Sequence, residues 1–577
     1  MSLLGGGRRF LAELKRRSVI RVGVAYIVVA FALLQGADLV LPALLLPDWT
    51  FRLLVLLVLF LFPIVLVLSW IYDLTPEGVQ RTAARILDND GIVETPPASP
   101  PLPVVDPDAP IDSVAILPLV ARGGDEDSEY LADGITEAVI NKMSSIPGLR
   151  VVPRASAFRL KGRDLDPTEI GRELGVRALV MGRLTQRGDT LVVQAELVDL
   201  LTRSQLWGDQ YSRPQSDIFA LQEDMSEEIT RALRLQLTSA QRDKLLKRET
   251  HDPAAYREYM RGRHAWNKRT GEAIRRAVAH FQRAIDLDPN FALVYAGLAD
   301  AYDVLGYYNI QSPHDTYPRA KAAAARALSL DPELAEAHAS LGYALLFYDR
   351  AYEEAAQELR KATVLNPGYA TAHQWYGWYL LVHRRFEEMV EALALAVQLD
   401  PLSLIINDHY GYALFLAGRY RDARRQIERT LELDGRYALA YQRLGNLAYH
   451  EGDLDAAITA LEQAVEHSGG SLARGYLGQA LGVAGRTGEA RGILSELRQD
   501  RERSYVSPLD LALVHSGLGE IDETLDALDQ AFEDRTSDLI RLELLHWPEE
   551  LRVHPRFEAM VQAVAPGMPE LMEQRDE

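Results

Sequence analysis

A chain of 577 residues, 48% hydrophobic and 25% charged, is long enough for three or four structural units. Its net charge of −20 argues against a nucleic-acid-binding surface, which would show as a basic patch. The absence of cysteine excludes disulfides, thiolate metal sites and cysteine nucleophiles.

Residues 1–21 read as a basic cytoplasmic segment with Arg8, Arg9, Lys15, Arg16, Arg17 and Arg21. Two apolar runs follow, 22–41 and 53–72, each about as long as a helix that crosses roughly 30 Å of hydrocarbon. The second run contains 16 Leu, Ile, Phe or Val residues, which favours insertion by about 5–9 kcal/mol. The first run is weaker because it carries Asp38, and Pro63 kinks the second. Trp49 marks one membrane interface, and Trp70 and Tyr72 mark the other. The short loop between the runs offers only Arg52, whereas Arg81 and Arg85 follow the second run. Residues 22–72 are therefore expected to be two transmembrane helices in a bacterial inner membrane, in contact with the lipid bilayer, with both chain termini cytoplasmic. A cleaved signal peptide is set aside, since the apolar core is too long and a second span follows at once.

Residues 73–111 form a juxtamembrane segment and a proline-rich linker containing Pro96, Pro97, Pro100, Pro101, Pro103, Pro107 and Pro110, suited to an extended tether. From 112 to 245 strand and helix patterns alternate. SVAILPLV reads as a buried strand, YLADGITEAVINKMSSI as a helix and LRVVPRASAF as a strand. DPTE at Asp166 carries an N-cap, a first-turn proline and a glutamate three residues past the cap, with Gly175 as the stop. VRALVMGRLTQ and TLVVQAELVD form a hairpin whose second strand places Leu191, Val193, Ala195 and Leu197 on one face. SQLWGDQYS adds a third antiparallel strand, and one long amphipathic helix is expected from 218 to about 245.

The ordered run SVAILPLV, EYLADGITEAVINKMSSIPGLRVVPRASAF, IGRELGVRALVMGRL, VVQAELVDLLTRSQLWGDQYSR and DIFALQEDMSEEI resembles the TolB amino-terminal-like (FlgO-like) α/β domain. The resemblance implies joining to tetratricopeptide repeats (TPRs), and no catalytic activity for the α/β domain itself. Relatives of this kind carry a nucleotide cyclase or a winged-helix domain in front. The N-terminal ELKRRSVIRVGVAYIVVAF and YDLTPEGVQRT are similar to an anchor seen among them. Residues 1–111 hold room for the hairpin and linker only, so neither extra domain is expected there.

Beyond 254 a phrase recurs: LDP at Pro289, LDP at Pro332, LNP at Pro367, LDP at Pro401, LDG at Gly435 and HSG at Gly469. The spacings are 43, 35, 34, 34 and 34, the period of a TPR. Gly342, Gly377, Gly411, Gly445 and Gly478 recur in the first helix of each unit, and Ala320, Ala355, Ala423, Ala457 and Ala490 in the second. About eight helix pairs are expected over 254–540, with an insertion near Tyr307 to Tyr317 and a helical cap over 541–577 that covers the last apolar face. The whole is a multidomain chain: a transmembrane helical hairpin, a small α/β domain and an all-α TPR superhelical solenoid.

Repeat register places Tyr343, Trp378 and Tyr412 at one groove position, with Phe347, Phe415 and Tyr449 in the turn that follows. Asp408, Gln442 and Asn446 flank them. Two readings stand. The rings form an aromatic ladder on the floor of a concave protein-binding groove with a polar rim, or they pack against neighbouring helices. No GxxxxGK[ST], HExxH or GxSxG pattern occurs, so no catalytic residue, cofactor or metal is assigned. The expected role is a membrane-anchored scaffold that binds a protein partner through the TPR groove, without nucleic acid. The alternative is a sensor whose α/β domain binds a small ligand and relays it to the repeats.

Overall fold

The computed structural model describes residues 72–75, 78–81, 111–122, 126–163, 166–268, 270–468 and 470–565. The chain divides into two compact units, residues 1–104 and 105–577. In the first unit, β1 (Tyr72–Thr75) and β2 (Gly78–Arg81) form an antiparallel pair with Tyr72 opposite Arg81. The sequence reading did not anticipate this hairpin and gave Tyr72 to the second span. The rest of 22–72 lies outside the described residues. Among the described residues no helix is long and apolar enough to cross a membrane.

The second unit begins with a mixed sheet. Strands β3 (Ser113–Ile116), β4 (Val120–Arg122), β5 (Arg150–Val151), β6 (Ala178–Arg187), β7 (Thr190–Asp199) and β8 (Ser204–Pro214) lie in the order β5-β3-β6-β7-β8, with β4 also on β6. The β5-β3-β6 pairs are parallel, and β6-β7-β8 is antiparallel. Alternation in β7 buries Leu191, Val193, Ala195 and Leu197 against helices α1 (Glu126–Ser144) and α4 (Ile218–Ala232). Helix α3 (Pro167–Leu174) starts at Asp166, whose Oδ1 accepts the Thr168 N–H at 2.8 Å, and ends at Gly175 with φ 63°.

Two expectations fail here for local reasons. LRVVPRASAF is a strand only over Arg150–Val151. Pro153 then takes an extended conformation (φ −63°, ψ 158°) and caps α2 (Arg154–Arg159), because a residue without an N–H ends the ladder yet sits well at a helix start. The single helix expected over 218–245 is two, α4 and α5 (Ser239–Leu246). Leu233, Leu235 and Leu237 alternate at a period of two, and Arg234 adopts φ 56°, which closes the helix end.

Among the described residues, eight helix pairs follow. They are α6 (Pro253–Asn267) with α7 (Gly271–Leu287), α8 (Ala292–Tyr307) with α9 (Pro313–Leu330), α10 (Ala335–Ala344) with α11 (Tyr352–Leu365), and α12 (Ala370–Val382) with α13 (Phe386–Leu399). Then come α14 (Leu404–Leu416) with α15 (Tyr420–Leu433), α16 (Ala438–His450) with α17 (Leu454–Ser468), α18 (Ser471–Val483) with α19 (Thr487–Arg501), and α20 (Pro508–Gly517) with α21 (Ile521–Glu533). A π-helical turn, Leu345–Asp349, extends α10. The second helix of a pair closes on an Asp whose N–H bonds back four residues, as at Asp288, Asp331, Asp400 and Asp434. The Pro that follows three of them cannot continue the helix. Gly342 and Gly445 sit where paired helices cross; a Cβ there would stand 2.7 Å from Leu359 Cγ and 2.6 Å from Leu461 Cγ.

After α21 the chain does not simply close the end of the stack. A 3-10 segment, Ser537–Leu544, turns back onto α8, α12 and the π-helical turn, and α22 (Glu549–Arg552) and α23 (Pro555–Val564) follow it. Helix α23 packs on α21 and on the 3-10 segment.

The α/β domain also touches the stack well beyond its own end. Helix α1 packs on α6. The buried Glu137 carboxylate on α1 holds Arg154 Nε of α2 at 2.7 Å and Arg263 Nε of α6 at 2.7 Å. Further along, the Ser156 N–H donates to Asp400 Oδ1 at 3.0 Å, and the Leu402 N–H donates to Ser156 Oγ at 2.6 Å. The Arg159 guanidinium donates to the Leu433 carbonyl. Helix α2 thereby spans the inner side of the stack from α6 to the turns after α13 and α15.

Candidate functional site

The inner face is built by the first helices of successive pairs. Regular stacking brings α8, α10, α12, α14 and α16 side by side. Their aromatic residues form a continuous chain of rings. Tyr343 lies 4.4 Å from Phe347 and 4.4 Å from Trp375, centre to centre. Phe347 lies 6.0 Å from Trp378, which lies 6.3 Å from Tyr412, and Tyr412 stacks on Phe415 at 6.3 Å. Tilted and edge contacts at these distances add to the energy of burial.

The repeat register thus brings Tyr343, Phe347, Trp378, Tyr412 and Phe415 together. It does not leave most of them facing solvent. Tyr343, Phe347, Trp378 and Tyr412 are buried, and so are Asp408 and Gln442. Phe415, Asn446 and Tyr449 are half-buried. Phe415 packs on His450 at 5.4 Å, and Tyr449 on His546 at 4.8 Å. Position in the repeat fixes which helix face carries a ring; what covers that face is set by chain far away. Here the cover is the segment Ser537–Leu544, with Ile540 in the same apolar cluster as Trp378 and Tyr412.

Asp408 is not a rim residue. Its Oδ2 accepts from Arg443 Nε and Nη2, each at 3.2 Å, and both side chains are buried. Burial pushes the Asp408 carboxyl above its usual range, against the pull of the Arg443 guanidinium. The Arg443 guanidinium lies 4.2 Å from the Tyr412 ring centre. His409, whose Nδ1 accepts from Gln374 Nε2 at 2.8 Å, is held neutral by burial and by the neighbouring Arg443 and Arg541 charges.

Sequence reasoning missed Tyr307, Trp375, His409, Arg443 and Arg541. Arg443 carried a usable signal, since it stands 35 residues after Asp408, close to one repeat period. Arg541 stood out as a lone cation within the apolar LIRLELL.

Where Ser537–Leu544 does not reach, the inner face stays open. A cavity of about 610 Å³ lies between α2 and the first helices α6, α8, α10, α12 and α14. Arg154 and Phe158 border it from the α/β domain; Tyr259, Trp266, Tyr308, Trp375 and Tyr437 border it from the stack. Of the expected groove residues only Tyr343 lines this cavity. Its walls combine flat apolar rings with a few placed polar groups, the make-up of a recognition pocket. Among the described residues, no group of three or more His, Cys, Asp or Glu side chains is arranged to hold a metal ion.

The family model described as "Tetratricopeptide repeat" matches residues 411–471. A protein of Rhizobium meliloti (strain 1021) named "Putative adenylate cyclase 3" is 32% identical over 262 residues, covering 45% of this chain. The chain spans 43% of the length of that relative. The pilF structure from Pseudomonas aeruginosa is 20% identical, with a TM-score of 0.29, covering 38% of this chain and 94% of its own. A thermophilic TPR protein of Thermus thermophilus is 20% identical, with a TM-score of 0.27, covering 29% of this chain and 92% of its own. The chain carries tetratricopeptide repeats behind an α/β region, and is similar over part of its length to the Rhizobium protein. TPR proteins as a class mediate protein–protein interactions.

Proposed function

We propose that this protein is a membrane-anchored interaction scaffold that binds a protein partner on the inner face of its TPR stack. In this reading residues 112–245 are a TolB amino-terminal-like domain. Residues 22–72 are two membrane-spanning helices in a bacterial inner membrane, and both termini are cytoplasmic. The observation that carries the binding role is the open cavity of about 610 Å³, walled by rings from successive repeats. Rigid aromatic side chains bury much area at little entropic cost, which is why they dominate binding hot spots. The test is affinity capture with the full chain in detergent. Tyr308→Ala with Tyr437→Ala, both half-buried at the cavity, should reduce capture of the partner at least tenfold. Val364→Ala, at a 77% exposed residue of α11, should leave it unchanged. Equal capture by all three proteins would refute the role. For the topology, alkaline phosphatase fused after residue 577 should be inactive.

A second reading is supported by the same cavity, because α2 of the α/β domain forms one of its walls. A small ligand seated there would touch both parts and couple them. A ligand-dependent rise in melting temperature that Tyr308→Ala abolishes would favour this sensor role. The name of the Rhizobium relative adds a third reading, nucleotide cyclisation. A cyclase assay on purified chain, expected to yield no cyclic nucleotide, tests it.

A further inference from the structure

In a solenoid each repeat touches only its neighbours. The segment after α21 breaks that rule. Tyr317 and Ser537 are joined hydroxyl to hydroxyl at 2.8 Å, 220 residues apart in sequence. Arg535 Nη1 donates to the Tyr348 carbonyl at 2.7 Å, and Arg384 pairs with Glu543. At the far end Gln479 Nε2 donates to the His546 carbonyl at 2.6 Å. These contacts fall on α9, the turn after α10, the loop after α12, and α18. One short stretch therefore runs along the inner face past several repeats, which is how a bound peptide lies and not how a repeat packs.

Its backbone and charges fit the same description. The stretch is 3-10, with Arg541 off helical geometry at φ −119° and ψ 19°. Arg541 is 4% exposed, and its guanidinium lies 5.7 Å from the Tyr412 ring centre. Its counter-ion, Asp538, belongs to the segment itself, with Nη2 to Oδ1 at 2.8 Å. The segment thus brings its own neutralised ion pair into a seat already balanced by Asp408 and Arg443. Leu539 and Ile540 fill apolar space to either side.

We propose that residues 535–547 are an internal ligand of the inner face, and that the protein partner presents a short segment of the same chemistry and displaces it. That chemistry is an arginine three residues after an acid, between aliphatic side chains. The inference rests on the reading of the inner face as a protein-binding surface.

The experiment uses the full chain and a fluorescein-labelled synthetic peptide of residues 533–547, followed by anisotropy. The wild-type chain should bind it weakly, because the tethered copy competes. Asp538→Ala with Arg541→Ala removes both charges of the pair at once, so no lone charge stays buried. This variant should bind the peptide at least tenfold tighter, and a peptide with Arg541→Ala at least tenfold more weakly. Should the double variant lose its helical circular dichroism, Arg535→Ala, which removes only the rim contact to Tyr348, should still tighten binding about threefold. A folded variant that binds no better than wild type, or equally well with the Arg541→Ala peptide, overturns the proposal. So does a variant that becomes a dimer through exchanged segments, since the occupant would then be a second copy. Failure here with partner capture still lost in Tyr308→Ala and Tyr437→Ala would leave the proposed function standing; the reverse result would strike that function instead.

Discussion

Gly517→Ala tests the tight winding of the last repeats around the returning segment. Helices α18 and α20 approach backbone to backbone at Gly482 and Gly517. A Cβ on Gly517 would stand 2.3 Å from the Gln479 oxygen, 2.6 Å from Gln479 Cα and 2.8 Å from the Gln479 carbonyl carbon. Ordinary contact begins at 3.4 Å, so the helices must part by about 1 Å. All three neighbours are backbone, and no rotamer change relieves them. Overpacking costs about 1–3 kcal/mol, and backbone on both sides places this site at the upper end. For a unit of this size that is a fall in melting temperature of roughly 3 °C. The strain lands on Gln479, which also holds the His546 carbonyl and, at 2.9 Å, Ser516 Oγ. The amides of 537–547 should therefore lose exchange protection before those of α12 do. The assay is thermal unfolding by circular dichroism together with hydrogen exchange. Gly492→Ala is the control: it lies on the exposed face of α19, its Cβ would meet nothing within 4 Å, and it should gain up to about 1 kcal/mol. A Gly517→Ala protein as stable as wild type, or a Gly492→Ala protein equally damaged, would refute the reasoning.

Burial pushes Asp400 up to about 7, against the hydrogen bonds from Ser156. A carboxyl raised on folding contributes stability that is full below the unfolded value near 4 and is lost as pH rises through about 7. Wild type should therefore melt a few degrees lower at pH 7.5 than at pH 5 (roughly 1 °C per kcal/mol lost). Asp400→Asn, which keeps an acceptor for the Ser156 N–H, should show a shallower fall. Asp510, also pushed up to about 7 by burial, supplies part of the slope that remains; identical slopes in the two proteins would exclude Asp400 as a contributor. Glu137→Ala leaves the Arg154 and Arg263 guanidinium groups without their shared carboxylate. Removing one side of such a buried pairing costs about 3–5 kcal/mol, read as a lower urea midpoint; a change under about 1 kcal/mol would mean the network is not closed in solution.

Much of the fold was legible because its causes are local. The 34-residue period, the Asp–Pro ends, the cap at Asp166 and the alternation in β7 each depend on residues a few positions apart. The errors at α2 and at 233–238 were local as well. Pro153 can end a strand or begin a helix with equal ease, and a run of alternating leucines was folded into a helical pattern. The candidate site was half legible. Register placed Tyr343, Trp378 and Tyr412 on one face, but a repeat pattern reports only contacts between neighbouring units. It carries nothing about Ser537 meeting Tyr317 across 220 residues, or about Ser156 meeting Leu402 across 246. Those long-range contacts decide which rings are covered and where the cavity remains.

Hydrogen–deuterium exchange on the full chain, resolved over 537–545, addresses the inner face most directly. If the chain's own segment seals this part of the stack, these amides exchange over minutes to hours, within tenfold of those of α12. Complete exchange within seconds, as for an exposed tail, would show the inner face standing empty and would contradict the account.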